Sequence, residues 1–392
     1  MSERTVSQQS SFPGRLAIQQ RVLPSYRLPF FSLLARACDE GLSLFAGDPL
    51  PRESITSTKS SSIFDFSHAR NRHFRDPSSS LYFCWQGGLL SWLNSVDPDA
   101  LIIEANPRYL SSGRAIEWMH NKERPVIGWG LGAPDIDGIT FPKQTLSQVQ
   151  KWFRRRFLHS LDGIISYSSS GEEEYIAEGV PKERIFIATN AVVARPTESP
   201  PARLREKRDP IKVLFVGRLQ VRKRLENLFL ACANLPVDLQ PWVWIIGDGP
   251  DRAYFQNSAN EVYPQAEFLG GKYGTELRSY FLEADLFVLP GSGGLAVQEA
   301  MAHGLPVIVA EGDGTQADLV RKENGWLVPP DDVDALKQAL AVALSDEKRL
   351  RLKGLESYRI VKDEVNLESM AETFVLALNT ITSHTTSRTY DR

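Results

Sequence analysis

The sequence predicts an α/β protein made of two doubly wound parallel-sheet domains, and three observations lead to that prediction. Short apolar strands alternate with longer helical segments along most of the chain. A proline-rich, charged stretch at residues 194–209 interrupts this alternation and is typical of a linker. The length of 392 residues exceeds that of one ordinary domain, so two domains of roughly 190 residues each are expected.

The first half alternates strands and helices from its beginning. Strands are predicted at residues 15–23, 42–47, 81–85, 100–105, 125–130, 163–168 and 185–190. Helices are predicted at residues 29–39, 87–94, 111–120, 145–161 and 171–178. The segment 48–80 is rich in Ser, Arg and Asn and shows no sustained period, so it is predicted to be a loop. A loop of that length indicates a functional role.

The second half repeats the alternation after the linker. Its strands are predicted at residues 212–217, 243–247, 266–270, 286–290, 306–310 and 326–329. A helix follows Asp332, because Val333, Leu336, Leu340 and Leu344 fall on one stripe. A last helix is predicted at about residues 366–378, followed by a polar tail.

The composition is that of an ordinary soluble protein. The net charge is −3 and 24% of the residues are charged, so no global bias toward nucleic acid or anionic membranes exists. The three cysteines, Cys38, Cys84 and Cys232, are scattered and predict buried thiols rather than disulfides or a metal site. The polar N-terminus lacks an apolar signal core, and no membrane-spanning stretch is found. We expect a cytoplasmic protein, with the inner face of the cell membrane as a peripheral alternative.

The glycine-rich stretch 290–307 is the strongest local signal. It follows an apolar strand, places Gly291, Gly293 and Gly294 in a turn, and then becomes helical. Glycines permit close backbone approach, and a helix N-terminus attracts phosphate. Glu299, about one turn into the helix, can accept hydrogen bonds from sugar hydroxyls. Glycines that serve only tight packing are the alternative, and the stretch alone does not decide between the two.

Three further turns in the second half have a similar character. Arg218 directly follows Gly217, and Lys223 lies five residues later; two cations at the end of a strand suit a diphosphate. A solvated basic turn is the alternative. The turn 247–250 reads GDGP, and after the next strand the backbone or Tyr273 can line a base pocket. Four such turns at consecutive strand ends predict a nucleotide site.

These motifs together carry a family resemblance. The series GRL…K, IIGDGP, ADLFVLP, GGLAVQEAMAHGLPVI and NGWLVPPDDVDAL resembles the retaining glycosyltransferases of family 4. The resemblance implies the GT-B fold, in which two Rossmann-like domains face each other across a cleft. It implies an acceptor-binding domain at 1–193, a linker at 194–209 and a nucleotide-sugar-binding domain at 210–365. The helix and tail at 366–392 are expected to pack back on the first domain.

The resemblance also assigns roles to residues. Arg218 and Lys223 match the pair that stabilises the leaving diphosphate, and Glu299 matches the residue that holds the ribose; these three are the predicted catalytic set. The predicted donor-binding set is Gly217, Gly247, Asp248, Gly249, Lys272, Tyr273, Ser292, Gly293, Gly294, Leu295 and Ala296. Neither a metal nor a cofactor is expected, because cations and a helix dipole take the place of the metal.

The acceptor side is predicted less closely. The acceptor-binding set is Tyr26, Arg27, Glu104, Arg108, Trp129 and Asp135. His68 and His73 are further candidates for acceptor contacts, with exposed loop charges as the more common alternative. Asp97 and Asp99, and likewise Asp135 and Asp137, match D-x-D formally but lack the fold context of that metal motif.

Two departures from the family pattern stand out. The first Glu of the family's E-x7-E motif falls on Gly291 here, so recognition of the donor sugar must differ. The histidine that relatives often carry after the strand at 125–130 is also absent, because the chain reads GWGLG there.

The segment KWFRRRFLH at residues 151–159 mixes aromatic residues with cations on a predicted helix. That composition suits an anionic lipid surface. The favoured alternative is a domain helix with Trp152 and Phe153 in the core and the arginines at 154–156 solvated.

The function expected from the resemblance is transfer of a hexose from a UDP- or GDP-sugar to a hydroxyl of a glycan or lipid-linked glycan. Retention of configuration and a place in polysaccharide biosynthesis are expected, and nucleic acid is not an expected partner. One rival is a catalytically lapsed protein that binds a nucleotide sugar or serves as a scaffold. Another is a nucleotide-sugar epimerase or a phosphorylase on the same fold.

Overall fold

A computed structural model of the chain describes residues 11–53, 55–58, 62–76, 79, 82–133, 144–200 and 210–390. The chain divides into two compact units. The first unit comprises Met1–Asn190 together with Leu367–Arg392, and the second comprises Ala191–Asn366.

The first unit is built on a parallel sheet. Its strands are β1 (Leu16–Val22), β2 (Leu42–Gly47), β3 (Asp65–His68), β4 (Arg70–Phe74), β5 (Phe83–Gly87), β6 (Ala100–Glu104), β7 (Val126–Gly130), β8 (Gly163–Ser166) and β9 (Ile185–Ile187). Seven of them pair in the order β3-β2-β1-β6-β7-β8-β9, all parallel. Its first five helices are α1 (Leu28–Arg36), α2 (Leu89–Val96), α3 (Ser112–His120), α4 (Gln144–His159) and α5 (Ser169–Ala177). The predicted doubly wound parallel sheet is confirmed for this unit.

The segment predicted as a loop at residues 48–80 contains two strands, β3 and β4. β4 pairs antiparallel with β5 in a separate two-stranded sheet. The strand predicted at residues 81–85 therefore belongs to this small sheet rather than to the parallel one. The prediction failed because the inward face of the pair is polar, with Asn71, His73 and Gln86, so no apolar alternation marks it.

The second unit has one six-stranded parallel sheet. Its strands are β10 (Lys212–Val216), β11 (Trp242–Ile246), β12 (Ala266–Gly270), β13 (Leu286–Leu289), β14 (Val307–Ala310) and β15 (Gly325–Val328), in the order β12-β11-β10-β13-β14-β15. Its helices are α6 (Leu225–Ala233), α7 (Arg252–Val262), α8 (Gly274–Glu283), α9 (Leu295–Ala302), α10 (Thr315–Leu319), α11 (Val333–Ser345) and α12 (Glu347–Asp363). The adjacent inner strands β13 and β14 are buried throughout, as expected for strands with helices on both faces.

The last helix, α13 (Leu367–Tyr390), is part of the first unit. It packs against α1, β8 and β9, and the rings of Phe374 and Phe30 lie 4.9 Å apart. The helix continues twelve residues beyond the predicted end at 378, so the predicted polar tail is largely helical. Its Ser- and Thr-rich C-terminal part has low helix propensity, which explains the early predicted end.

The burial predicted for α4 is wrong. Trp152 and Phe153 are 56% and 58% exposed. Arg154 instead faces inward and pairs with Glu178, which also accepts from Arg155 at 2.8 Å. The helix therefore turns an ion pair and Leu158 toward its unit, and it leaves its two aromatic rings outside.

The three cysteines are buried free thiols, as predicted. In the part of the chain that the structure describes, no helix combines the length and the apolar character needed to cross a membrane.

Candidate active site

The second unit has one position where the strand order reverses, between β10 and β13. In open α/β sheets, ligands bind at the carboxyl ends of the strands at such a switch point. The turns that follow these two strands are hydrogen-bonded to each other here. The backbone amide of Ser292 donates to the carbonyl of Arg222 at 3.1 Å, and Lys223 Nζ donates to the carbonyl of Ser292 at 2.6 Å.

Lys223 is the central cation of this site. It ends a short 3-10 turn, Val221–Lys223, and only 8% of it is exposed. Burial, and secondarily the charge of Arg222, lowers the pKa of Lys223 to about 8. No described carboxylate lies within ion-pair distance of the ammonium. A buried cation without a counterion is costly, and an incoming anion would relieve that cost.

Two arginines lie in the same turn as Lys223. Arg218 directly follows Gly217 and is exposed, and its side chain makes no ion pair with a described residue. Arg222 donates from Nε to Gln220 at 3.0 Å and from Nη1 to Ser292 Oγ at 3.2 Å. Sequence reasoning missed Arg222, which joins the two turns from the outside. The result is a strongly cationic switch point.

The glycines of the turn after β13 have different roles. A Cβ on Gly291 would collide with the carbonyl of Arg222 and the backbone of Lys223, so no side chain fits there. A Cβ on Gly293, whose φ is +135°, would collide with Lys223 Nζ. Packing thus explains Gly291, and space for the lysine ammonium explains Gly293. The carboxylate that the family motif places at 291 is excluded by the backbone of the neighbouring turn.

Helix α9 begins at this turn with open backbone amides. Its N-cap, Gly294, supplies no side-chain hydrogen bond, and the first turn carries no acidic residue. A Cβ on Gly294 would meet only Thr315 Oγ1, at 4.0 Å. Leu295 is 37% exposed and Ala296 is half-buried. The positive end of the helix is therefore open to an anion.

Glu299 lies one turn further along α9. It is half-buried, and burial raises its pKa. Its carboxylate has no hydrogen-bond partner among the described residues, whereas its backbone carbonyl is in contact with His303 Nδ1 at 2.8 Å. The carboxylate is free to accept hydrogen bonds from hydroxyl groups.

Gln316 is a second residue that sequence reasoning missed. It lies on α10, which follows β14, and is 3% exposed. Its Nε2 donates to the carbonyl of Gly293 at 3.2 Å, while its Oε1 is buried without a partner among the described atoms. A buried unpaired acceptor beside the glycine turn is suited to a ligand hydroxyl. The polar, glycine-rich segment EGDGTQ, which follows a predicted strand, was the sequence signal that could have identified Gln316.

The turn after β11 supports the site through packing. A Cβ on Gly247 would collide with the carbonyl of Gly217, and one on Gly249 with the backbone of Leu219. Asp248 accepts from the amide of Gly249 at 2.8 Å. The predicted donor contacts of Gly217, Gly247, Asp248 and Gly249 stay predictions.

The turn after β12 carries the two residues predicted near the base. Lys272 pairs with Glu276, which raises the pKa of the lysine. Tyr273 is 82% exposed. Neither residue is enclosed within the second unit, so their contact with a base stays a prediction.

The first unit has its own switch point, between β1 and β6. Arg27 lies beyond the end of β1 and is 6% exposed. Its guanidinium carbon is 4.9 Å from the ring centroid of Trp129 and 5.5 Å from those of Tyr26 and Tyr167. Its Nη1 is buried without a hydrogen-bond partner, and no described carboxylate pairs with it. Three aromatic rings therefore hold a cation that forms no ion pair with a described residue.

Glu104 ends β6 beside this cation. It accepts a hydrogen bond from the amide of Arg21 and another from the hydroxyl of Tyr109. Burial nevertheless raises its pKa. Arg21 in turn donates to Glu53 at 2.8 and 3.0 Å. This switch point is a buried network of charged side chains.

The remaining acceptor-side candidates are spread out. Trp129 is 1% exposed and packs among phenylalanine rings, so it supports Arg27 from within. Its predicted contact with the acceptor stays a prediction. Tyr26 is 44% exposed, and Arg108 is exposed. Asp135 and Asp137 lie outside the described residues.

The two histidine candidates differ in setting. His68 is exposed and lies 3.0 Å from Asp48, whereas His73 Nδ1 lies 2.8 Å from the hydroxyl of Tyr82. Only His68 is at the surface, in agreement with the exposed-charge alternative. Among the residues with described positions, no group of three or more His, Cys, Asp or Glu could hold a metal ion.

Comparison with known proteins decides the family. The family described as Glycosyl transferases group 1 matches residues 197–354, which include the cationic turn after β10, the glycine turn after β13 and α9. A GDP-mannose-dependent alpha-mannosyltransferase of Mycobacterium tuberculosis is 30% identical over 289 residues, covering 67% of this chain and 69% of that protein. The chain belongs to the group 1 glycosyltransferases. The predicted enzyme class, a glycosyltransferase, is confirmed.

One further sequence relative and one solved structure are similar to this glycosyltransferase. A GDP-mannose-dependent alpha-mannosyltransferase of Mycolicibacterium smegmatis is 35% identical over 208 residues; the matched region covers 50% of this chain and 51% of that protein. The sucrose-phosphate synthase of Thermosynechococcus elongatus superposes with a TM-score of 0.68 at 19% identity, covering 94% of this chain and 99% of that chain. The predicted GT-B fold with two Rossmann-like domains is confirmed. Membership of family 4 and retention stay predictions.

Proposed function

We propose that this glycosyltransferase moves a hexose from a nucleoside-diphosphate sugar to a hydroxyl of a glycan or lipid-linked glycan, with retention of configuration. The observation that carries the proposal is the buried ammonium of Lys223 at the switch point of the second unit, which donates to the Ser292 carbonyl but has no described carboxylate as a counterion. A diphosphate supplies the negative charge that this position lacks, and the open amides of α9 add hydrogen-bond donors.

In the proposed reaction, the bond between the sugar C1 and the diphosphate oxygen breaks, and its electron pair leaves with the diphosphate. Lys223 and Arg218 stabilise that developing charge. The acceptor hydroxyl oxygen bonds to C1 on the face that the diphosphate leaves, and its proton passes to the departing diphosphate. Because side-chain cations neutralise the leaving group, transfer is expected to continue in excess EDTA.

The first donor to test is GDP-mannose. Both relatives described above are named as GDP-mannose-dependent, and UDP-sugars remain the second choice. The free carboxylate of Glu299 would accept from the ribose hydroxyls. The unpaired Oε1 of Gln316 would accept from a sugar hydroxyl, in place of the carboxylate that Gly291 excludes.

The acceptor is proposed to bind the first unit at its own switch point. Arg27 offers a buried cation there whose Nη1 has no hydrogen-bond partner. Tyr26, next to it in sequence, and Arg108, four residues after Glu104, offer exposed groups. The predicted contacts of Glu104 and Asp135 belong to the same proposal.

A ligand screen tests the donor site directly. The melting temperature would be measured with GDP, UDP, ADP, TDP and their sugars for the native protein and for the Arg218→Ala, Lys223→Ala double variant. A ligand at a hundred times its Kd adds about 2.7 kcal/mol to the free energy of unfolding. Lys348→Ala is the matched control, because Lys348 is exposed on α12. A shift with none of the nucleotides, in folded protein, would contradict the proposal.

Product analysis separates the proposal from the lapsed-enzyme alternative, which Gly291 favours because the family carboxylate is missing. Slow hydrolysis of the donor that disappears in Lys223→Ala would show a working transferase centre. The anomer first formed, followed by proton NMR, tests retention. Binding without any hydrolysis or transfer would favour the lapsed enzyme.

A further inference from the structure

The first unit contains a cavity of about 610 Å³. Of the described acceptor candidates above, only His68 lines it. The cavity lies between the β4–β5 pair, the end of β3 and helix α2, and we call it the β4–β5 groove. Its volume falls within the range of about 300–1,000 Å³ that is usual for small-molecule sites. The residues that carry its chemistry are Phe45, His68, Arg70, Arg72, Trp85 and Trp92.

Strand alternation explains why arginines line this groove. In β4, Arg70 and Arg72 are exposed, while the intervening Asn71 is half-buried. Arg72 lies directly opposite Trp85 on β5. The inward face enters the buried network, since Asn71 donates to the carbonyl of Arg21 at 2.8 Å and accepts from Gln86 at 2.9 Å. The fold therefore needs the inward face, whereas it makes no use of the two arginines.

The groove is cationic and has no internal counterion. Arg70, Arg72 and the neighbouring Arg114 make no ion pair with any described residue. No Asp or Glu is among the residues that line the cavity. Unpaired guanidinium groups in a concave surface focus a positive potential and favour anionic ligands.

Aromatic rings form the apolar part of the groove. The ring of Trp85 is half-buried, and the guanidinium of Arg114 lies 5.4 Å from its centroid. Deeper in the wall, Phe45 and Trp92 stack with centroids 5.0 Å apart. Gly87 and Gly88 leave the rim without side chains. A half-buried ring beside hydrogen-bond donors suits the apolar face of a sugar.

We infer that the β4–β5 groove binds an anionic oligosaccharide, with Arg70 and Arg72 on its acidic groups and Trp85 beneath a sugar ring. The inference rests on the proposed function in one respect: the occupant is a part of the acceptor or product remote from the reacting hydroxyl. Strand β5 connects the groove with the switch point of the first unit. The backbone of Cys84 forms a β-bridge with that of Tyr109, whose hydroxyl donates a hydrogen bond to Glu104. A concave cavity favours a chain that enters it over a flat lipid surface.

Titration calorimetry of the full-length protein with defined saccharides tests this site. The probes are tetragalacturonate, a heparin-derived tetrasaccharide and neutral maltotetraose, all at about 0.15 M salt, where the Debye length is about 8 Å. The first two distinguish carboxylate from sulfate groups. The native protein should bind at least one anionic probe, with an affinity at least about tenfold above that for maltotetraose.

The Arg70→Ala, Arg72→Ala double variant should lose at least about tenfold in affinity for the anionic probe. Arg36→Ala with Arg75→Ala is the matched control, since both are exposed arginines of the same unit that do not line the groove. The affinity of the control variant for the anionic probe should stay within about twofold of the native value, because exposed charges outside the groove are largely screened by salt.

Three results would overturn the inference: no binding of either anionic probe, equal binding of the neutral one, or an equal loss in the control variant. Binding to vesicles of phosphatidylglycerol that needs Arg70 and Arg72, without saccharide binding, would assign the surface to lipid and also overturn it. Nucleotide binding measured on the same variants should not change. Failure of nucleotide binding in the native protein would refute the proposed function while leaving the groove result standing.

Discussion

The two units present the same strand reversal in two chemically different forms. In the second unit, the switch point is made of glycine turns, open helix amides and one buried lysine. In the first unit, the corresponding place is filled by a side-chain network around Arg27, Glu104 and Arg21. A backbone site suits a group that all donors share, the diphosphate, whereas side chains suit one particular acceptor. Sequence motifs therefore indicate the donor site, whose diphosphate is common to all donors, more readily than the acceptor site.

The largest expected effect comes from removing the buried cation. Lys223→Met should lower kcat/KM by about 10²–10³, because the leaving diphosphate loses its principal charge. The same change should raise the free energy of unfolding at pH 7 by about 1–3 kcal/mol, because a buried charge with a lowered pKa opposes folding. Chemical denaturation with parallel activity assays checks both. A destabilised, active variant would contradict the account.

The sign of that stability effect can be followed with pH. The pKa of Lys223 is lower in the folded protein than in the unfolded chain, so the penalty is full below about pH 8 and disappears as pH rises toward 10.5. The stability difference between Lys223→Met and the native protein should therefore shrink over that interval.

The next effect distinguishes two neighbouring glycines. Gly293→Ala should weaken binding of the nucleoside diphosphate by about 10–100-fold, because its Cβ meets Lys223 Nζ and its φ of +135° is unfavourable for alanine. Gly294→Ala is the matched control, since the added Cβ would lie 4.0 Å from Thr315 Oγ1. This variant should change affinity by less than about threefold. Equal losses in both variants would mean that the turn itself matters rather than the lysine.

Donor binding should also depend on pH. Between pH 7 and 9, affinity for the diphosphate should fall by up to about tenfold, because the free lysine loses its proton near pH 8. Lys223→Arg should abolish that dependence, since a guanidinium stays protonated. Calorimetry across the pH range measures it. A dependence that persists in the arginine variant would assign the titration to another group.

A smaller effect is expected at Gln316. Gln316→Met keeps the side-chain volume but removes the unpaired Oε1, so affinity for the sugar nucleotide should fall about tenfold. Affinity for the free nucleoside diphosphate should change much less. If both affinities fall together, the glutamine acts only by holding the turn through Gly293.

The smallest expected effect lies on the first unit. Arg27→Met should raise the acceptor KM about fivefold without changing donor affinity, because the cation faces the other switch point. Arg36→Met, which removes an exposed arginine of the same unit outside the proposed acceptor site, is the comparison variant. Changed donor binding in Arg27→Met would contradict the assignment of the donor to the second unit and of the acceptor to the first.

The same comparison explains what could be predicted from the sequence. Arg218, Lys223 and Glu299 could be selected as candidates because glycine turns at strand ends leave a local pattern; their roles stay predictions. The burial of Lys223, the collision that excludes a side chain at Gly291 and the contact of Gln316 with Gly293 all depend on segments distant in sequence. No local pattern contains that information.

The first unit was harder for a related reason. β4 and β5 bury polar residues, so the hydrophobic alternation that identifies strands is missing there. Trp129 could be placed at a strand end from the sequence, but its burial among rings from α1 and α13 depends on helices far away along the chain.

The most direct test of the central claim is the pKa of Lys223 itself, measured by NMR with lysine labelled at Cε and assigned by comparison with Lys223→Arg. Lys223 should titrate near pH 8 in the free protein, and its pKa should increase by at least about one unit when GDP or UDP binds. A lysine that titrates near its ordinary value of 10.5 and responds to neither nucleotide would contradict this expectation.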